Sequence, residues 1–539
     1  MEEIHDHIIV GSGCTGAMAA QTLVEKGVKV TMLDVGFETP QYDSIIPDKD
    51  YTSIRQNEKE QYKYLLGKNF EGLSWGKVKT GEHLTPPRKV ILQDVLKYLP
   101  IDSDSFFPME SLAYGGLGRG WGFGCCEFSK PELEAAGLDY PQMLKAYETV
   151  ADRIGINGNQ DDATPYTLGE LKNHMQPLKL DNNNRLILKK YTAKKESLNN
   201  KGFYLGRPAL AVITEGHHGR KKYSYRDMDY FSDKDESGYR SWMTVDQLKK
   251  SSNFRYINQC LVISFKETES GLIAIESIRT DTKEKTNFTC KKLILAAGTL
   301  GTARIVLRSF EKYEHKIPIL CNPYSYIACI QPAMMGKKTE REKVGLAQLS
   351  LFLDEDKTNF GATMASIYSY NSLMMFRIIK QASLNFSDSR ILMQYLMSSF
   401  IITGIHHPEA RGTEKNILLS KNANSIAGDI LKANYKLSEG EIKKVLANEK
   451  KYIRVMRKLG VYAIKRIDAG MGSSIHYAGT LPFTERDELL TLASTGKLNG
   501  TKKVYVADGS GFTYLPAKGL TFSLMANAHI TALNSLNNA

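Results

Sequence analysis

The sequence predicts an α/β fold built on a Rossmann-like nucleotide unit, and three widely separated segments carry that prediction. His7-Ile8-Ile9-Val10 runs into Gly11-Ser12-Gly13-Cys14-Thr15-Gly16, Leu293-Ile294-Leu295 runs into Ala296-Ala297-Gly298, and Lys503-Val504-Tyr505-Val506 runs into Ala507-Asp508-Gly509-Ser510. Each is an apolar, strand-type run that ends in small residues. The two ends of the chain therefore describe one ligand site.

The first segment is the most specific. Residues 17–26 continue the glycine turn as a helix, and 28–33 form a second strand ending in Asp34, 23 residues after Gly11. A GxGxxG also occurs in ordinary strand-to-helix turns; strand, glycine turn, helix, strand and acid in this order make a dinucleotide unit. The glycines let main chain approach a pyrophosphate, the helix N-terminus offers unpaired N–H groups to the anion, and Asp34 can accept from a ribose hydroxyl.

Between the ends, residues 40–108 are polar and irregular. Tyr114-Gly115-Gly116-Leu117-Gly118-Arg119-Gly120-Trp121-Gly122-Phe123-Gly124 follows. So many glycines raise the entropy cost of folding, which suits a place where main chain must approach a ligand more than it suits a loose loop. Residues 256–265, 272–278 and 288–295 alternate as a small β-meander, and 299–307 continue from Gly298 as a helix. This second strand-glycine-helix turn is expected to abut the first.

Composition bounds the class. The chain has 539 residues, 42% of them hydrophobic and 24% charged, an ordinary globular balance with length for two or more domains. No apolar run reaches the ~20 residues that span a bilayer, and Met1-Glu2-Glu3 lacks the basic start of a signal peptide, so a cytoplasmic protein is expected. Seven cysteines without CxxC or Cys/His ligand spacing predict neither a disulfide framework nor a metal site. The net charge is +12, and much of the excess lies in a helix predicted over 438–460, with a Ser438…Glu441 capping box and basic Lys443, Lys444, Lys450, Lys451, Arg454, Arg457 and Lys458. A solvated face is the plain reading. Beside the apolar segment 391–402, the sharper one is peripheral contact with an anionic membrane. No nucleic-acid motif accompanies the charge.

Taken together, GSGCTG with Asp34, GGLGRGW, LILAAGTLGTARIVL, SSIHYAGT (473–480) and the terminal VYVADGS…LP…MANA resemble the glucose-methanol-choline (GMC) family of FAD-dependent oxidoreductases over the full length. GGLGRGW and SSIHYAGT look nearest to its pyranose oxidase and aminoglycoside alcohol oxidase side. The resemblance implies a GMC fold: a Rossmann-like FAD-binding domain from 1–130, 251–310 and 471–539, and a substrate domain built on an antiparallel sheet from 131–250 and 311–470. It implies oxidation of an alcohol, sugar-like or polyol in character, with an electron acceptor the sequence does not identify. Gly11, Ser12, Gly13, Cys14, Thr15 and Gly16 would cradle the FAD pyrophosphate and Asp34 would hold the adenosine ribose. Val262 would meet the adenine by its backbone, Gly115 and Gly116 the pyrophosphate or ribityl chain, and Asp508 with Gly509 the ribityl and flavin end, while Trp121, Gly122, Ala297 and Gly298 would also line the cofactor. Gly120 stands where pyranose oxidases carry a flavin-linking histidine, so non-covalent FAD is expected. His476 aligns with the active-site histidine that accepts the hydroxyl proton while hydride leaves the carbon; an imidazole with a pKa near ~6.5 suits that role.

One departure matters. The family's C-terminal Pro-x-x-Asn-Pro pattern places Asn or a second His beside the catalytic histidine, whereas Pro516-Ala517-Lys518-Gly519-Leu520 puts glycine there. Losing one such partner typically costs ~100- to 1,000-fold in rate. Lys518 could compensate by turning inward, open space at Gly519 could admit a bulkier substrate, or the chain could be a flavin-binding scaffold with lost or altered activity.

Overall fold

The computed structural model describes residues 3–38, 49, 53–54, 57–65, 67–68, 86–225, 235–338, 340, 342, 344–369, 388 and 395–537. Strand β1 (Ile4–Val10) leads through the glycine turn into α1 (Cys14–Glu25) and then β2 (Val30–Leu33). The strands are parallel, with Ile9 opposite Met32, and β1 pairs on its other edge with the strand Lys285–Leu295, Ile9 opposite Ile294. Beyond β2 the strand Phe254–Ile257 extends the parallel sheet, and Val504–Val506 joins the far edge of Lys285–Leu295. Period-two alternation sorts the two faces. Ile9 and Met32 pack with α1 and the C-terminal helix Thr521–Asn537, while Ile8, Val10 and Leu33 pack with the helix Thr299–Ser309.

The predicted meander differs in one respect. Residues 256–265 are not one strand: Phe254–Ile257 belongs to the parallel edge, and the antiparallel meander begins at Cys260–Glu267. Gln259 between them adopts a left-handed φ of +56°, which reverses the chain and ends the alternation.

A second, wholly antiparallel sheet of six strands runs in the order Tyr462–Asp468, Tyr324–Ile330, Phe400–His406, Thr363–Ser369, Leu349–Leu353, Phe203–Gly206. One face is covered by the helices Asn182–Thr192 and Glu439–Lys458, which bury Ile187, Tyr191, Tyr452, Val455 and Met456 against Ile327, Cys329, Ile401 and Ile405. Alternation turns Tyr324, Tyr326, Gly404 and His406 to the opposite face. The capping box at Ser438 forms as expected, the basic residues 443, 444, 450, 454, 457 and 458 stay exposed, and so do Ile442 and Leu446. Within the apolar segment 391–402, residues 391–394 lie outside the described residues. Residues 400–402 begin a central strand in which Ile401 is core. No described helix is long and apolar enough to cross a membrane.

Helix Thr299–Ser309 is anchored by two buried ion pairs. Arg304 reaches Glu110 at 2.6 Å, and Arg308 grips Asp429 through Nε and Nη2 at 2.5 and 2.7 Å. Asp429 opens the strand Asp429–Tyr435 of a third, four-stranded sheet. Removing one member of such a pair strands a buried charge, whereas replacing both with apolar groups does not. Arg308→Ala is expected to lower stability by about 3–5 kcal/mol, seen as an earlier midpoint in chemical denaturation, and Arg308→Met with Asp429→Leu to recover most of the loss.

Candidate active site

The nucleotide half is shaped by close main-chain approaches. Gly11 has φ +101°, and a Cβ there would lie 2.5 Å from the Ala296 carbonyl oxygen, so the first two glycine turns do abut. A Cβ on Gly16 would collide with the Gly11 carbonyl, whereas one on Gly13 would meet nothing within 4 Å. Gly13 caps α1 and Gly298 caps Thr299–Ser309 with no side-chain cap of their own, although the Asp508 carboxylate accepts from the Gly298 N–H. Two helix N-termini thus lie side by side, an arrangement that suits an anion.

The glycine-rich segment folds over this cradle. Gly116 stacks on Gly13, where a Cβ would be 3.3 Å from the Gly13 Cα, and Gly118 packs on the Cys14 sulfur. The Ser12 hydroxyl donates to Asp34 and accepts from the Gly115 N–H at 2.8 Å, while Tyr256 OH donates to Asp34 at 3.0 Å. Burial pushes the Asp34 carboxyl up to about 6, and these two hydroxyls oppose the shift. The Cys260 N–H donates to the Asp34 carbonyl at 2.9 Å, which ties the start of the strand Cys260–Glu267, with Val262 at its β-bulge, to the end of β2.

Several expected cofactor residues have internal duties. Asp508 accepts from Ser510 N–H at 3.0 Å, Ser510 OH and Thr302 OH, and burial raises its carboxyl. Gly509 lies close to the Tyr477 carbonyl and the Thr299 hydroxyl, Ala297 and Gly298 flank the second turn, and Thr15 is buried in α1. Trp121 packs edge-on to Phe123, with Gly122 between them. Sequence reasoning missed Arg240, which is fully buried, donates to the carbonyls of Gly118 and Trp121 at 3.1 and 2.6 Å, and stacks on Phe123. It also missed Trp242 beside Gly115, whose buried indole N–H has no partner among the described residues. A buried donor of this kind calls for an acceptor from outside the chain. Two helix N-termini, an open Gly13 and this indole fit a dinucleotide such as FAD.

His476 occupies the other half. It follows Ile475, a β-branched residue at φ +60°, a conformation that costs of order 1–3 kcal/mol and persists only where its surroundings enforce it. They do so here: Tyr477 OH donates to the Gly472 carbonyl and accepts from Met109 N–H at 2.9 Å, and Ser474 OH contacts the Cys321 sulfur at 3.3 Å. Strand pairing sets Cys321 opposite Tyr477, which makes residues 322 and 476 the next facing pair. Asn322, unnoticed in the sequence, is buried there. Its Nδ2 donates to the carbonyls of His407 and Pro516 at 2.7 and 3.0 Å, and its Oδ1 lies 3.0 Å from His476 Nδ1. With the amide nitrogen committed to carbonyls, the oxygen facing His476 can only accept. The network therefore assigns the proton to Nδ1 and leaves Nε2 with a lone pair. His406 stacks on His476 with centroids 5.0 Å apart and planes 22° apart.

Lys518 does not join this group. Its ammonium is buried against Glu132 at 2.7 Å and the Glu127 carbonyl at 3.1 Å. The catalytic role expected for Lys518 is thereby corrected: the cation neutralises a buried carboxylate. The open space expected at Gly519 is corrected too, since a Cβ there would lie 3.1 Å from the Gly124 carbonyl oxygen.

This architecture is the glucose-methanol-choline oxidoreductase fold. Pyridoxine 4-oxidase from Mesorbium loti matches it with a TM-score of 0.59 at 11% identity, over 99% of this chain and 100% of that one. Formate oxidase from Aspergillus oryzae RIB40, in a structure concerned with FAD modification, matches with a TM-score of 0.59 at 12% identity, over 100% of this chain and 99% of that one. No family profile matches the chain and no curated protein matches it in sequence. The expected nearness to pyranose oxidases has no counterpart in these two neighbours.

Burial lowers His476 from its ordinary 6.5 to about 4. His5, His7, His406, His407 and His529 are also depressed, burial being the first cause in each. The unfolded chain binds these protons at higher pH than the folded chain does. Stability from keeping the imidazoles neutral is present above pH 6.5 and is lost as pH falls through about 4. Unfolding midpoints are expected to drop steeply between pH 6.5 and pH 4, and nitrogen NMR of labelled histidine should show His476 titrating near 4 with its neutral proton on Nδ1. Titration near 6.5 would contradict the burial.

Proposed function

We propose that the chain is an FAD-dependent oxidoreductase acting on the CH–OH group of a sugar-like or polyol substrate, with FAD held non-covalently and His476 as the base. The observation that carries this reading is the Asn322–His476 hydrogen bond, which leaves Nε2 unprotonated on the wall between the nucleotide cradle and the antiparallel sheet. Bound FAD would supply the hydride acceptor. The chain's own part is to bind and orient. The helix ends at Gly13 and Gly298 would face the pyrophosphate, Asp34 and Val262 the adenosine end, and Gly115 and Gly116 would roof the cradle. Gly120 offers no side chain for a flavin link.

At the substrate, Nε2 accepts the hydroxyl proton as the carbon loses hydride and the C–O bond becomes a carbonyl. A histidine held at about 4 is always ready but weakly basic, so its proton transfer must accompany hydride departure rather than precede it. Gly519 is the best support for the scaffold reading; against it stand the strained Ile475 and the Asn322 oxygen, which together present one imidazole with a fixed tautomer.

The purified protein is expected to be yellow and to release intact FAD on denaturation; bound NAD, or no flavin uptake on reconstitution, would overturn the assignment. His476→Ala should keep its FAD and slow anaerobic flavin reduction by ~100-fold or more, tested with D-glucose, xylitol, glycerol and pyridoxine. In the natural protein the reduction rate should stay level from pH 8 to pH 5 and fall near pH 4, because only then does Nε2 take up a solvent proton.

A further inference from the structure

We propose that His406 is a second catalytic histidine, donating a hydrogen bond from its ring N–H to the oxygen of the reacting C–O group, where the C-terminal segment supplies only Gly519. The proposal rests on reading His476 as the base. His406 ends the strand Phe400–His406, whose alternate residues Ile401, Thr403 and Ile405 are buried on the helix-covered face. The side chain of His406 therefore emerges on the other face, where its ring stacks on His476 and lies 4.3 Å from the Tyr324 ring, centroid to centroid. Tyr324 is its direct neighbour across the strands, and Gly404 stays small because a Cβ there would press on the Tyr324 hydroxyl at 2.7 Å. Three rings thus form one wall beside Nε2.

Stacked imidazoles cannot hydrogen-bond each other through their faces, so each keeps its ring nitrogens for other partners. His476 uses Nδ1 on Asn322. His406 makes no hydrogen bond among the described residues and is only half-buried, so its ring nitrogens are left for a partner from outside. Burial, with His476 and His407 nearby, keeps it neutral, and a neutral imidazole always carries one N–H donor. During oxidation the substrate oxygen gives its proton to His476 Nε2 and gains a second bond to carbon. The His406 N–H stays on His406 throughout and stabilises the charge that collects on that oxygen.

A packing role for the same ring predicts different behaviour. His406→Phe keeps the stack and deletes the donor, and His406→Asn restores a donor. With the FAD-loaded protein and the alcohol of the panel above that reduces it fastest, His406→Phe is expected to lower the limiting reduction rate ~100- to 1,000-fold with flavin content unchanged. His406→Asn should recover at least about tenfold of that. In the unsubstituted protein, trifluoroethanol, an alcohol that resists oxidation, should shift the nitrogen NMR signals of His406 and His476 together. Wild-type reduction by His406→Phe, or a probe that moves His476 and leaves His406 unmoved, would overturn the proposal even if a variant failed to fold. If trifluoroethanol moves neither ring, the reading of His476 has failed and this proposal falls with it.

Discussion

One buried amide holds the candidate site together. Asn322 sits where strand pairing sets it against His476, and its two ends face in opposite chemical senses: the nitrogen fastens the carbonyls of His407 and Pro516, and the oxygen faces the imidazole. Three chain segments, from the antiparallel sheet, the C-terminal region and the 473–480 turn, converge on a side chain of four polar valences. An isosteric Leu would leave two buried carbonyls unpaired, and an Asp would present acceptors to acceptors. Behind it, Tyr435 OH donates to the Cys321 carbonyl and accepts from its N–H, both at 3.0 Å. The position of Asn322 is therefore itself fixed by the third sheet.

That sheet also reaches the nucleotide half. Asp429, one strand residue of the third sheet, binds Arg308 of the helix whose N-terminus is Gly298. The same structural element thus steadies the helix that starts at Gly298 at one end and the histidine-orienting asparagine at the other. Buried ion pairs contribute little net stability, but once formed neither partner can be lost without stranding a buried charge. Lys518 with Glu132 belongs to the same category: it fixes how the C-terminal segment seats, and with it the Pro516 carbonyl that Asn322 requires.

The nucleotide half was legible in the sequence because its signals are local. Glycines at fixed offsets, an acid at the end of the second strand and apolar runs of four or five residues all lie within short windows, and the turns at Gly11 and Gly298 formed where those windows placed them. The substrate half was not, for two physical reasons. Asn322 and His406 reach His476 only through pairings between distant strands, Cys321 with Tyr477 and Tyr324 with His406, and such registers leave no short-range trace. The apolar reading of segment 391–402 also stopped short of His406, and so missed the alternation of the strand 400–406 that turns it away from the helix-covered face. Lys518 failed for a simpler reason: spacing along the chain does not say which way a side chain turns, and its carboxylate partner lies nearly four hundred residues upstream.

The glycine at 519 becomes intelligible from the packing around it. Its Cβ direction runs into the main chain of Gly124, at the end of the glycine-rich segment that roofs the nucleotide cradle. A larger residue there would ask the Gly124 main chain to give by a few tenths of an ångström, so the C-terminal wall disfavours a side chain at this position. The opposing wall has no such constraint. The antiparallel sheet is fixed from behind by helices and can present a ring at its strand end without moving main chain. In this chain the demand for close backbone approach on one side of the cleft shifts the second polar group to the other side, and His406 is the residue that the alternation of the strand delivers there.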